Sequence, residues 1–416
     1  MPESQSQSQH FDVVVYGATS FVGQILTRYM WNEYGNSGKV SWAIAGRSKQ
    51  KLRDLQIKLG GDALELPVMV ADAADKAALK EMCEQTKVVI STVGPYALYG
   101  EPLVEVCCEL GTDYVDLTGE PQWIRAMLDK YEDSARQSGA RIVNCCGFDS
   151  IPSDLGVYHL QQYALQSEGE PCQHVRMRVK AIRGGASGGT VASLMNVAKQ
   201  AAEDKNLRRL LANPYALCPA DHGFATYQEN LKKAKFEDIT GRWIAPFVMA
   251  AINTRIVHRT NALLEKEYGE RFQYDEAMFT GKDMQGAARG WMMSLGLGAF
   301  MLGAALPPTR WLLENYIMPK PGEGPSESQQ EKGFYDLRFY GTTQKGKLLK
   351  AKVTGDRDPG YGSTAKMLAE SALCLAQDIA KDQVKGGFWT PASVFGETLI
   401  TRLQDKAGLT FDILHD

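Results

Sequence analysis

From Phe11 onward the chain alternates two kinds of hydrophobic pattern. "FDVVVYG" is an apolar, β-branched run, which predicts a strand buried on both faces. From Ser20 the apolar positions become Phe21, Val22, Ile25, Leu26, Tyr29 and Met30, the spacing of a helix. The alternation then repeats. "VSWAIAG" (Val40–Gly46), "LPVMVAD", "KVVISTVG", "DYVDLTG" and "RIVNCCG" read as strands. "SKQKLRDLQIKL" and the stretches Asp75–Thr86, Glu101–Leu110 and Pro121–Ser138 read as helices between them. Strand–helix alternation of this kind predicts an α/β fold with a Rossmann-type, doubly wound parallel sheet.

After Gly147 the pattern changes. "HVRMRVKAIRG" sets Val175, Met177, Val179 and Ala181 against Arg176, Arg178 and Lys180, the alternation of a half-solvated strand. "FYDLRFYG" and "KLLKAKVTG" repeat it on either side of "TTQKG", an antiparallel hairpin, and "RFQYDEAMF" adds a further strand. A second α+β domain on a mixed or antiparallel sheet is expected, with helices on one face. "PKPGEGPSESQQ" (Pro319–Gln330) has the composition of a loop, and Tyr361–Ile379 is a last strong helix. The expected division is a disordered tail over 1–10, a nucleotide-binding domain over 11–152, a substrate-side domain over 153–355, and a C-terminal helix with a tail over 356–416.

A chain of 416 residues exceeds one ordinary core, in keeping with two domains. Its net charge of −3 and the lack of a long basic tract argue against nucleic acid as a partner. "MPESQSQSQH" is polar and is not a signal peptide, so a cytoplasmic protein is expected. The eight cysteines form no C-x-x-C pair and read as reduced, buried side chains; the six histidines have no metal-ligand spacing, so no metal is expected.

The chemistry concentrates at strand ends. In "GATSFVG", Gly17 closes the first strand and Gly23 falls in the first turns of the helix, with Ser20 where a second glycine is usual. A dinucleotide site needs this tight turn so that a pyrophosphate can approach a helix N-terminus. The Ser20 hydroxyl caps the helix or touches phosphate. After the second strand comes "AGRSKQKL". An NAD site wants an acid there; Arg47, with Ser48 and Lys51 assisting, instead suits a 2′-phosphate and hence NADP(H). Asp72 accepts from an adenine amino group or caps the next helix. "STVGPYALYG" leaves the fourth strand at the ligand-binding edge, where Gly94 and Pro95 hold the backbone near the cofactor. Tyr96, Tyr99 and Asp149 (in "NCCGFDSIPSDLG") are the candidate catalytic proton donors, and Asp149 could equally cap a helix. "GGASGGT" (Gly184–Thr190) is an anion cradle or a plain turn.

Taken together, "GATSFVG", "AGRSKQKL", "STVGPYALYGEPLVEVCCELGTDYVDLTGE", "GFDSIPSDLG" and "MPKPGEGPS" resemble the saccharopine dehydrogenase-like oxidoreductases, and within them the trans-acting enoyl reductase branch. The resemblance covers nearly the whole chain after Phe11. It implies an NADP-binding Rossmann domain, a catalytic-side α+β domain and a C-terminal helix that returns to the first. Gly17, Thr19, Ser20, Phe21, Gly23, Arg47, Gly94 and Pro95 match the family's cofactor pattern. The branch implies reduction of a carbon–carbon double bond on a lipid-like acyl chain made by a partner synthase. A homo-oligomer is also expected.

Two alternatives stand beside that reading. A saccharopine-type amino-acid dehydrogenase needs cations for substrate carboxylates; Arg176, Arg178 and Arg183 are candidates, although alternation sets the first two on a solvated face. A non-catalytic, lipid-associated protein could keep the fold. The Y-x-x-x-K proton relay of short-chain reductases has one match, Tyr316 to Lys320, and Pro319 inside it breaks the helical spacing. "WMMSLGLGAFMLGAAL" (Trp291–Leu306) carries no charge and is shorter than the roughly 20 residues that span a bilayer. It is a buried core helix or a peripheral contact with the inner face of the plasma membrane.

Overall fold

The computed structural model describes residues 11–35, 38–184, 188–313 and 324–415, with only the backbone described for 188–194. The expected tail, the Tyr316–Lys320 match, Pro319–Glu323 of the expected loop and 185–187 of the glycine-rich segment lie outside them. The chain forms two units. The first comprises Met1–Thr118, Ala126–Gly147 and Thr364–Trp389; the second comprises Gly119–Arg125, Phe148–Ser363 and Thr390–Asp416.

The first unit is built on six strands from the start of the chain: β1 (Phe11–Tyr16), β2 (Trp42–Gly46), β3 (Val68–Val70), β4 (Thr86–Ser91), β5 (Asp113–Asp116) and β6 (Arg141–Val143). A seventh, β13 (Gly387–Trp389), arrives from far along the chain. Their order is β13-β6-β5-β4-β1-β2-β3 and every pairing is parallel. The order reverses between β1 and β4, the switch point at which such sheets bind ligands. Val13, Val14, Val15, Val88, Val89 and Ile90 are fully buried, as two-sided coverage requires.

Local chemistry sets the helices of this unit. Ser20 accepts from the Gly23 N–H and starts helix Phe21–Tyr34, which buries Leu26 and Met30 and stops at Gly35 (φ 51°). Ser48 does the same for helix Lys49–Leu59 through the Lys51 N–H. Helix Thr364–Leu373 is buried almost all round. It packs against helix Phe21–Tyr34 and against β1, β4 and β5. Glu370 on it accepts from the hydroxyls of Tyr29 and Tyr34, each at 2.7 Å. All eight cysteines of the chain are buried, and none is in a disulfide.

The second unit is a mixed sheet in the order β14-β12-β11-β7-β10-β9-β8. Its strands are β7 (Cys172–Arg183), β8 (Lys235–Glu237), β9 (Arg242–Pro246), β10 (Gln273–Gly281), β11 (Phe334–Thr343), β12 (Leu348–Gly355) and β14 (Leu409–Leu414). β10 pairs with β7 in parallel; the other pairings are antiparallel. Strands β8, β9 and β14 escape the sequence reading, and the stretch from Thr390, expected as a tail, is helix Pro391–Arg402 followed by the edge strand β14. Short edge strands carry too few alternations to stand out from loops.

One expectation is overturned. Arg178 is not on a solvated face. It is buried (1% exposed), its guanidinium bonded to Glu237 (2.6 Å) and Asp275 (2.6 Å). β7 is the central strand of a seven-stranded sheet, and Asp275 on the adjacent β10 with Glu237 on β8, both on the same side of β7, supply the acids that let a cation enter the interior.

Candidate functional site

A cleft of about 500 Å³ opens in the first unit at the carboxyl ends of β1, β2 and β4. It brings together Gly17, Thr19, Ser20, Arg47, Ser48, Lys51, Asp72, Gly94 and Tyr99 of the expected residues, and adds Thr92 and Val93. Phe21, Gly23, Pro95 and Tyr96 do not line it.

The first turn is tight for a steric reason. Gly17 has φ 82°, and a Cβ there would stand 2.7 Å from both the Thr92 Oγ1 and a Val93 methyl. Gly23 lies behind the turn; a Cβ on it would stand 2.2 Å from the Gly17 carbonyl oxygen. Only glycine at both positions lets helix and strand close to this distance, leaving the backbone bare toward the cleft. The Ser20 hydroxyl, capping Gly23, also lies 3.0 Å from the Thr92 hydroxyl, which donates to the Gly17 carbonyl at 2.9 Å. The turn after β1 is thus clamped to the end of β4.

Arg47 is exposed at the end of β2, with Lys51 one helical turn on. No described ion pair of the protein engages either one. The set suits a dianionic phosphate on an adenosine ribose, whereas an acid would be needed to hold a bare 2′-hydroxyl. Asp72 neither caps the next helix, a task Asp75 performs, nor pairs with Arg47. Its Oδ1 accepts from the Ala74 N–H at 2.9 Å, an Asx turn in the cleft wall.

The three proton-donor candidates separate. Tyr99 is half exposed on the cleft wall. Tyr96 is buried, its hydroxyl donating to the Ser91 carbonyl at 2.9 Å and accepting from the Leu117 N–H at 3.4 Å, so it braces the loops after β4 and β5. Asp149 is half-buried in the second unit, its carboxyl near Gly119. It does not cap helix Ile151–Glu168: the N-cap is Ser150, whose hydroxyl bonds to the Asp149 carbonyl and lies 3.2 Å from Asn253 Oδ1. The glycine-rich segment leads into a helix that starts at Gly188.

Two groups of buried acids go unremarked in the sequence. Asp116, at the end of β5, accepts from the Tyr114 hydroxyl (3.0 Å), the Asn144 amide (2.8 Å) and the N–H groups of Thr118 and Cys145 (3.1 Å each). Burial pushes its carboxyl up to about 6, with those four donors opposing the rise. Cys145 beside it has φ 63°, rare for a residue with a Cβ. In the second unit, Glu276 accepts from Tyr274 (2.7 Å) and Asn253 (3.0 Å), and burial raises it to about 7. Asp154 accepts from the Thr260 hydroxyl (2.6 Å) and the Ala392 N–H (2.8 Å), and burial likewise raises it to about 7. The signal for Asp154 is an acid in the first turn of a helix, two residues after the proline at its start. Among the described residues no cluster of His, Cys, Asp or Glu could hold a metal ion.

Residues 13–143 match the saccharopine dehydrogenase NADP binding domain. A trans-acting enoyl reductase of Mycobacterium bovis (strain BCG / Pasteur 1173P2) is 39% identical over 408 residues, 95% of this chain and 96% of its own length. A Mycobacterium tuberculosis protein (strain ATCC 25618 / H37Rv) that bears that name provisionally is 40% identical over 405 residues, again 95% of this chain and 96% of its own length. Among solved structures, apo saccharopine dehydrogenase (L-Glu forming) from Saccharomyces cerevisiae aligns over 97% of this chain and 100% of its own, with a TM-score of 0.54 and 14% identity, a likeness of fold alone.

Proposed function

The chain belongs to the trans-acting enoyl reductase branch of the saccharopine dehydrogenase-like oxidoreductases, and on that premise we propose that it reduces a carbon–carbon double bond in an acyl chain, with NADPH as hydride donor. It is an NADP-dependent oxidoreductase. The acyl reading is supported by 39% identity that runs along 96% of an enoyl reductase's length rather than along its nucleotide-binding part alone. The relatives' name carries the rest of the proposal: a reductase acting on a lipid or polyketide-type chain made by a separate synthase.

Bound NADPH supplies the hydride; the protein supplies binding, orientation and the proton. Arg47, Ser48 and Lys51 would grip the 2′-phosphate, and the Gly17–Gly23 turn would take the pyrophosphate at the helix N-terminus. Tyr99 is the proton donor we favour, because its side chain lines the cleft while the Tyr96 hydroxyl is committed to Ser91. Against the amino-acid alternative stands Arg178, whose charge is already neutralised by Glu237 and Asp275.

The deciding experiment supplies NADPH deuterated at the transferred position together with a long-chain α,β-unsaturated acyl thioester. The expected result is loss of the reduced-nicotinamide absorbance and a saturated product carrying one deuterium. Turnover only with a 2-oxo acid and an amino acid would favour the saccharopine-type reaction. Tight NADPH binding with no turnover on either acceptor would favour a non-catalytic protein.

A further inference from the structure

Helix Met284–Ala305 packs one side on β9, β10 and helix Gly188–Glu203, burying Gly286, Ala287, Gly290 and Ser294, and burying Ala304 against Met195 and Ala198. A core helix would bury its large side chains. This one fully buries only small ones; Met293, Leu297 and Phe300 are half-buried, and the other large side chains turn outward. Leu295 and Leu302 are each 68% exposed, as is Met292, and Trp291 and Leu306 are exposed beside them. Positions 291, 295, 302 and 306 are spaced at four and seven residues, so they form one stripe along the helix. The next helix, Pro307–Leu312, continues it with exposed Trp311.

The charges select the occupant. From Met284 to Leu313 the only ionisable side chains that carry charge are Arg289 and Arg310. A second copy seated on this face would bring like charges together with no acid from the same stretch to pair them. An anionic lipid surface supplies the opposite sign, and it accepts leucine and methionine below the headgroups with tryptophan at the boundary. No described helix is long and apolar enough to cross a membrane, which leaves a helix lying in the plane. Its 22 residues extend about 33 Å at the usual rise per residue.

We propose that the face formed by Trp291, Met292, Leu295, Leu302, Leu306 and Trp311, flanked by Arg289 and Arg310, seats the protein on an anionic bilayer surface. This goes beyond the reductase reading and does not depend on which acceptor is reduced. A membrane seat would give an enzyme direct access to acyl chains too insoluble to diffuse to it.

The test is cosedimentation of the full chain with phosphatidylcholine vesicles, with and without phosphatidylglycerol. NADPH and acyl substrate are omitted, so failure here leaves the hydride-transfer experiment untouched. Binding is expected on the anionic vesicles and weaker on the neutral ones. Leu295→Glu with Leu302→Glu should lower it more than tenfold. Arg289→Gln with Arg310→Gln, the milder pair, should lower anionic binding about fivefold for each arginine and leave neutral binding alone. The proposal is overturned if neither vesicle binds the wild-type chain, or if both double variants bind as the wild type does. It is also overturned if the leucine variants convert a dimer to a monomer in sedimentation velocity while vesicle binding stays absent, which would assign the face to a second copy.

Discussion

Arg47 and Tyr99 carry the sharpest claims at the scale of single residues. A hydrogen bond to a charged group is worth about 1.5–3 kcal/mol, so Arg47→Ala should weaken NADPH binding on the order of 10–100-fold and leave NADH binding unchanged, by titration calorimetry. Equal losses for both coenzymes would mean that Arg47 holds something other than the 2′-phosphate. Tyr99→Phe removes one hydroxyl from the cleft wall. If that hydroxyl gives the proton, kcat should fall by about 10²–10⁴ with NADPH affinity intact. A loss of affinity with kcat preserved would make Tyr99 part of the coenzyme's wall instead. Arg47 was legible because its type and its place after the second strand are both linear facts. Tyr96 and Tyr99 look alike in the sequence, three residues apart, and separate only because one short helix turns the first inward to Ser91 and the second outward.

Among the elements, helix Ile151–Glu168 shows how one residue sets a packing distance. A Cβ on Gly156 would stand 2.3 Å from the Phe339 ring of β11, a contact real side chains do not make. Gly156→Ala should therefore cost about 1–3 kcal/mol in urea unfolding, the range for overpacking a filled core. Adding Phe339→Leu should recover part of that loss. If the second change only adds to the first, the helix is held off the sheet by something else. Alternation found this strand but not its partnership with the helix, because the glycine reads as a weak helix former until the facing ring is known. The same limit hid β8, β9 and β14, whose residues make strands only once a neighbouring edge offers its backbone groups.

Across the whole molecule, Asp154 joins three segments of the second unit that lie far apart in the chain: its own helix, Thr260 on helix Ala250–Leu263, and Ala392 on helix Pro391–Arg402. Its carboxyl titrates near 4 in the unfolded chain and about 7 in the fold. Between those values the folded state binds more protons, so this group's contribution is full below about pH 4 and is lost as pH rises through about 7. Asp154→Asn, which mimics the protonated acid, should remove that slope. The wild type should lose ground to the variant from acid to neutral pH by an amount on the order of 4 kcal/mol at most, read from urea midpoints. A constant gap across that range would show that Asp154 is ionised in the fold. The sequence by itself determined the alternating first sheet, the glycine turn with Arg47 where the 2′-phosphate is expected, and the change of pattern after Gly147. These follow from side-chain period and from backbone needs that one or two residues express. Only the tertiary structure decided that β13 completes the first sheet, that Arg178 is buried between acids, and that the Trp291–Leu306 stripe faces outward. Each of these depends on which distant segment supplies a pairing edge, a counter-charge or a covering surface, and local pattern carries no record of that.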